Sequence, residues 1–227
     1  VVAPEDVLDA DVAGTETADG RKILRVGCME AGGGYCPWGD DQSSIGNNIV
    51  YEHIAQRMPD GHLEPWCCES YEWTDDTTLV FHMRDDVYFA DGDKMTGEDL
   101  LYSFYMTAQG IMASDFAPLN FEKSYVSDDG MTVTFIFDVP YGPIESSLDV
   151  PLMCNKSVAE NLASDEPGWW TEPQGSGPYT VKENVAGSHA TYVLQDNYWN
   201  PDFKPQQRSV PPAHRHSTDD PRCRSCR

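Results

Sequence analysis

The sequence predicts an α/β fold, and three observations carry this reading. Two stretches repeat with period two: Leu79, Phe81 and Met83 are interleaved with Val80, His82 and Arg84. Met131, Val133, Phe135, Phe137 and Val139 are interleaved with Thr132, Thr134, Ile136 and Asp138. That spacing puts alternate side chains on one buried face of a strand. Between them, Leu100, Leu101, Phe104, Tyr105 and Ala108 recur at helical spacing. Asp91-Gly92 and Asp129-Gly130 punctuate the pattern, because glycine accepts the left-handed backbone of a tight turn.

Taken in order, residues 1–21 are acidic, small and poor in apolar side chains, and are expected to form a disordered linker. Lys22 to Cys28 reads as a first buried strand, with Leu24, Val26 and Cys28 on one face. A Gly-rich loop follows. Ser44 then suits the cap of a helix carrying Ile45, Ile49, Val50 and Ile54 on one side. After the strand at 79–83, Val87 and Phe89 are expected to continue as a second short strand up to the Asp91-Gly92 turn. Thr96 suits a helix N-cap, with Asp99 at the third helical position to reach back to it. Thr191 to Leu194 reads as a strand.

The chain has 227 residues, enough for one large or two small domains with a sizeable core. With 40% hydrophobic and 23% charged residues it is globular in composition. A formal charge of −23 argues against binding to nucleic acid or an anionic membrane surface. There is no apolar run of about 18 residues, the length a transmembrane helix needs. The charged and apolar regions of a signal peptide are also missing, so in an exported protein Val1 would follow a processed leader.

The stretch from Trp73 to Tyr105 resembles the signature region of the family 5 extracellular solute-binding proteins of ABC transporters, the oligopeptide-, dipeptide- and nickel-binding proteins. Trp73, Phe81, Arg84, Asp85, Val87, Phe89, Asp91, Gly92, Thr96, Glu98 and Asp99 stand where that family's pattern puts them. Met83, Gly97 and Leu100 are mild substitutions, and Asp86 replaces the family's usual glycine. Two further elements stand in family order. Gly61, Leu63, Pro65, Glu69 and Ser70 resemble the lead-in. Gly175-Ser176-Gly177-Pro178-Tyr179 resembles a G-T-G-P-Y element, with Asn197-Tyr198-Trp199 an approximate N-x-x-Y-W.

The resemblance implies a periplasmic-binding-protein-like N-terminal lobe, with a mixed sheet core, an inserted α/β subdomain, and the second lobe absent. Residues 22–45 and 170–205 would form the sheet-centred part and 46–169 the inserted subdomain. It implies a solute-binding component of an ABC importer that closes on its cargo like a hinged clamp and delivers peptides to the membrane permease. Localisation would be extracytoplasmic, with any lipid anchor on a cysteine upstream of Val1. No cofactor is implied. Ligand contact is placed on the loop after the first strand, here Met29 to Trp38. Met29 opens that loop, Glu30 would pair a ligand ammonium, and Tyr35 or Trp38 would cover side chains. Nickel, a sugar or another small solute is the alternative cargo.

Other features of the sequence compete with this reading. Asp75-Asp76, Asp85-Asp86, Glu98-Asp99 and Asp128-Asp129 are the paired carboxylates a glycoside hydrolase would need, but they fall at predicted turns and caps. No GxSxG, HExxH or P-loop pattern occurs. His53, His62, His82 and His189 read as isolated surface or satisfied histidines, and Trp169-Trp170 as packing. Cys28, Cys36, Cys67, Cys68 and Cys154 read as buried thiols, with a Cys36–Cys67 or Cys36–Cys68 bridge as the alternative. The tail 206–227 holds five of the 15 basic and two of the 38 acidic residues. That break in composition sets it apart as a non-family, disordered end. His214, His216, Cys223 and Cys226 offer zinc-binding atoms there, but without a core to hold them.

Overall fold

The computed structural model describes residues 35, 44–110, 112–154, 156, 158–159, 173–185 and 188–200. The expected first strand, the linker, Trp169-Trp170 and the tail lie outside the described residues. The chain enters through α1 (Ser44–Val50) and a small hairpin of β1 (Ala55–Arg57) and β2 (Leu63–Pro65). It then lays down β3 (Cys68–Asp75), β4 (Thr78–Met83), α2 (Gly97–Ala108), β5 (Tyr125–Val126) and β6 (Thr132–Ile136). A 3-10 helix (Gly142–Ser147) follows. A last hairpin pairs β7 (Tyr179–Val185) with β8 (His189–Leu194).

The centre is a four-stranded antiparallel sheet in the order β3-β4-β6-β5. The alternation in β4 sets its register. Leu79 and Phe81 lie opposite Phe135 and Val133 of β6, and all four are fully buried. Phe104 of α2 comes down on Phe135 at 5.0 Å between ring centroids, Phe81 meets Phe135 at 5.5 Å, and Phe116 meets Phe104 at 5.3 Å. Offset and edge contacts at these separations add to the burial of the rings themselves.

The helix begins where Thr96 was expected to cap it. The Asp99 carboxylate accepts the Thr96 backbone N–H at 2.8 Å and its hydroxyl at 2.9 Å. The buried face is rotated from the expected one. Leu100, Ser103, Phe104 and Thr107 point inward, while Tyr105 is 45% exposed. Ser103 and Thr107 are tolerated inside because their hydroxyls donate back to the carbonyls of Asp99 and Ser103 at 2.6 and 2.8 Å. The Ser103 hydroxyl also accepts the Met153 N–H at 2.8 Å, tying the strand-like segment 150–154 to the helix.

Three further expectations are corrected. Val87 and Phe89 are buried but form no extended strand; their backbone bonds to Met95 and Asp93 close a single bridge, Tyr88 with Lys94. The Asp91-Gly92 turn, with Gly92 at φ +90, folds the chain straight back, so the pairing ends after one bridge. Val139 is 54% exposed because β6 ends at Ile136 and Pro140 follows. Ile54 also lies past the end of α1 at Val50, although it is buried.

Segment 173–200 is fastened to α1 by close approach. The Gly177 N–H donates to the Val50 carbonyl at 2.8 Å, and the Gly175 carbonyl accepts the Ala90 N–H at 2.9 Å. A Cβ on Gly175 would lie 2.0 Å from the Val50 oxygen, so this contact requires glycine.

Phe81→Ala is expected to destabilise the protein by about 3–5 kcal/mol, the range for emptying a buried aromatic position. A denaturant titration checks this, and an unchanged midpoint would show that the Phe81 ring is not a core contact.

Candidate functional site

Of the four residues singled out for ligand contact, Met29, Glu30 and Trp38 lie outside the described residues. Tyr35 is described, and it is fully buried. It sits in a small second core with Val50, Tyr51, Met153 and Val158, against which Tyr102, Met106, Val181 and Tyr192 pack. Its hydroxyl donates to the Tyr192 hydroxyl at 3.0 Å, and the two rings meet nearly at right angles, 6.3 Å apart. Its carbonyl accepts the Tyr51 hydroxyl at 2.9 Å. Burial, together with the Tyr192 hydroxyl, pushes the Tyr35 phenol well above its ordinary range, so it stays neutral. Tyr35 is thereby pinned on both its ring and its backbone, between α1 and β8.

The paired carboxylates are occupied structurally. Asp75 accepts the Thr77 N–H at 2.8 Å and the Thr77 hydroxyl at 2.9 Å. Asp86 forms a two-pronged pair with Arg84 at 2.9 and 2.7 Å. Asp99 caps α2, and Asp129 accepts the Met131 N–H at 2.9 Å. One member of each pair is thus held in a turn, a cap or an ion pair. Hydrogen bonds from Thr77 hold the Asp75 carboxyl below its usual range, and the Ser127 hydroxyl does the same for Asp129.

The histidines are satisfied rather than isolated. His62 stands between Glu64, at 3.0 Å, and Asp60, and both raise its pKa. His189 lies 3.4 Å from Glu183, and His82 lies 3.4 Å from the Thr132 hydroxyl. Cys67, Cys68 and Cys154 are buried free thiols, and burial pushes Cys68 up to about 12. That is the thiol state read from the sequence; Cys28 and Cys36 lie outside the described residues.

Two features were not legible beforehand. A groove of about 510 Å³ runs beside α2, lined by Leu101, Tyr102, Tyr105 and Phe121 and rimmed by Glu98, Glu122 and Lys156. Tyr105 stays outside the core and meets Phe121 at 5.5 Å, while Leu101 and Phe121 lie half-buried at the core's edge. Asp91, Asp93 and Cys154 bring three ligand atoms within 4.8 Å of one another, but the Lys156 ammonium already sits 3.1 Å from Asp93 and neutralises it.

The other unforeseen residue is Glu52. It is 6% exposed, and its two oxygens accept from the Tyr198 hydroxyl and from the Trp66 indole, the latter at 2.7 Å. Its signal in the sequence is a carboxylate inside the apolar run from Ile49 to Ile54.

Among the described residues no catalytic constellation is assembled, and no helix is long and apolar enough to cross a membrane. An antiparallel sheet backed by a capped helix, with a second hairpin fastened to α1 through paired glycines, is a lobe of the periplasmic-binding-protein kind. The chain belongs to the bacterial extracellular solute-binding proteins, family 5, matching the region described as "family 5 Middle" over residues 62–211. Protein XP55 of Streptomyces lividans is 28% identical over 160 residues, covering 68% of this chain and 29% of that protein. The periplasmic oligopeptide-binding protein OppA of Escherichia coli is 25% identical over 189 residues, covering 71% of this chain and 33% of its own. The crystal structure of NikA from Brucella suis in complex with Fe(III)-EDTA superposes with a TM-score of 0.65 at 21% identity, covering 76% of this chain and 35% of that one. The chain therefore spans about a third of the length of the curated relatives it matches.

Removing one hydroxyl of the buried tyrosine pair tests how firmly Tyr35 is held. Tyr192→Phe leaves the Tyr35 hydroxyl without an acceptor and is expected to destabilise by about 1–3 kcal/mol. Replacing both tyrosines by phenylalanine should recover much of that loss. A urea double-mutant cycle checks this, and additive effects would show that the two hydroxyls are not coupled.

Proposed function

We propose that this chain is part of the solute-capturing subunit of an ABC importer. It takes up peptides outside the cytoplasm and presents them to permease subunits in the membrane. The observation that carries this reading is the family match over 62–211, which contains the whole hairpin–helix unit from Trp73 to Tyr105. The likeness to an oligopeptide-binding protein favours peptide as the cargo class. In this reading the protein acts by binding and release, without catalysis. Residues 22–45 and 170–205 make the sheet-centred part, 46–169 the inserted part, and any lipid anchor lies upstream. The strongly acidic surface leaves no place for nucleic acid.

The loop Met29 to Trp38 supplies part of the ligand contact. Tyr35, within that stretch, is held by Tyr192 and Tyr51. Glu30 pairs the ligand ammonium, and Met29 and Trp38 flank the bound segment. Peptides suit such a site because their backbone can be read by strand-like hydrogen bonds while side chains enter pockets. A second reading keeps the fold and changes the cargo to nickel, a sugar or a metal chelate, and the NikA likeness favours it.

Calorimetry on a full-length counterpart carrying this segment tests both. Glu30→Ala is expected to weaken binding of peptides with free N-termini by at least tenfold, about 1.4 kcal/mol, without lowering the melting temperature. Unchanged affinity would remove Glu30 from the site. A thermal-shift screen against peptides, nickel chelates and oligosaccharides separates the cargoes. The 227-residue chain alone is expected to bind none of them at micromolar concentration, since a clamp gains its affinity by enclosing ligand on two sides.

A further inference from the structure

The Glu52 carboxyl lies under a lid made by the last described residues of the chain. Tyr198 donates to one of its oxygens, and the Trp66 indole donates to the other at 2.7 Å. Trp199 packs edge-on against Trp66 at 5.3 Å and carries the Arg84 guanidinium 4.6 Å above its ring. Among the described residues no ion pair reaches Glu52. The nearby cation, Arg84, is turned to Asp86 at 2.7 Å. The closed lid also buries the Trp199 indole N–H with no hydrogen-bond partner.

The groups around Glu52 come from four segments. On its own segment are Tyr51 and His53, whose pKa burial lowers against the raising charge of Asp149. From the link into β3 come Trp66 and Cys67, a thiol pushed up by burial and by the charges of Glu52 and Cys68. Arg84 and Asp86 follow β4, and Tyr198 comes from the far end of the chain. None of these supplies a positive charge bonded to the carboxylate.

We propose that Glu52 is a proton-operated latch: protonated, it holds Tyr198 and Trp199 down on Trp66, and ionised, it lets this segment lift and admit water. When the carboxyl is protonated, its hydroxyl donates to the Tyr198 oxygen while its other oxygen still accepts from Trp66, so both contacts survive without a buried charge. When it is ionised, an unpaired charge is left in the lid, and exposure to water relieves both that charge and the orphaned Trp199 N–H.

The direction with pH follows. Burial raises the carboxyl from its ordinary value of 4.5 to about 7, against the lowering effect of the Tyr198 and Trp66 hydrogen bonds. The closed form therefore binds the proton more tightly than the open one. Closure is at full strength below pH 4.5 and is lost as pH rises through about 7. Between those limits the opening equilibrium shifts by up to roughly 300-fold, at tenfold per unit of pKa difference.

Hydrogen exchange read by mass spectrometry on the 227-residue chain tests this between pH 5 and 8, with rates corrected for intrinsic exchange. Protection of peptides covering 195–200 is expected to fall by more than tenfold from pH 5 upward and to level off above about 7, while peptides from β4 and β6 stay protected. Glu52→Gln cannot ionise and should keep the segment protected at pH 8. Tyr198→Phe removes a donor to the carboxylate and should move the levelling-off to higher pH. A flat profile in the parent, the same loss in Glu52→Gln, or loss in step with β4 and β6 would each overturn the latch. If Glu52→Gln does not fold, an unmoved levelling-off in Tyr198→Phe overturns it instead.

Discussion

The structure depends on one contact, the meeting of Phe104 with Phe135 across the gap between α2 and the sheet. Phe135 lies opposite Leu79 in the β4–β6 register, so the ring that receives the helix is also the one that fixes which way β4 faces. A slip of one residue would turn Leu79, Phe81 and Met83 to solvent together. Position along the helix is fixed at its other end, where Asp99 closes on Thr96. The distance from Thr96 to Phe104 is a little over two turns, so cap and ring between them fix the first two-thirds of the helix. Neither feature alone orients α2; together they leave it one rotation.

That rotation explains the one helix face misread from the sequence. Leu101 and Tyr105 have the helical spacing of core residues, and Ser103 and Thr107 the chemistry of surface ones. With Phe104 placed on Phe135, Ser103 and Thr107 must point inward, and they do so by satisfying their hydroxyls on the helix backbone and on Met153. Leu101 and Tyr105 are left to build a wall of the groove with Phe121. Spacing shows that a helix has an apolar side; it does not show which of two overlapping stripes a distant ring will choose.

The strands and turns were legible for a different reason. Their signals are local: alternation in 79–83 and 131–137, and an aspartate preceding the residues it will bond in each turn. Asp75, Asp91 and Asp129 each accept a backbone N–H two residues on. This is also why so acidic a chain need not be an enzyme. These carboxylates are spent on backbone geometry, and Asp75 and Asp129 have lowered pKa values, the opposite of a proton donor held ready near neutrality. Glu52 is the exception, raised to about 7 by burial, yet its partners are two aromatic donors with no second carboxylate beside it.

The site was less legible than the fold because its described part is made by residues far apart in sequence. Tyr35 reaches Tyr192 across 157 positions, and Tyr198 reaches Glu52 across 146. No periodicity reports such pairs. What the sequence does carry is the means of bringing them together: Gly175 and Gly177 flank a segment that can lie on α1 only without side chains, since the Val50 carbonyl occupies the space a Cβ would take. With that contact made, β7 and β8 hang beside α1, Tyr192 comes to Tyr35, and the chain beyond β8 is delivered to Trp66 and Glu52. Tyr51, bonded to the Tyr35 carbonyl, and Glu52, bonded to Tyr198, are neighbours in the chain just past α1, so both long-range contacts close on the stretch that the two glycines pack against.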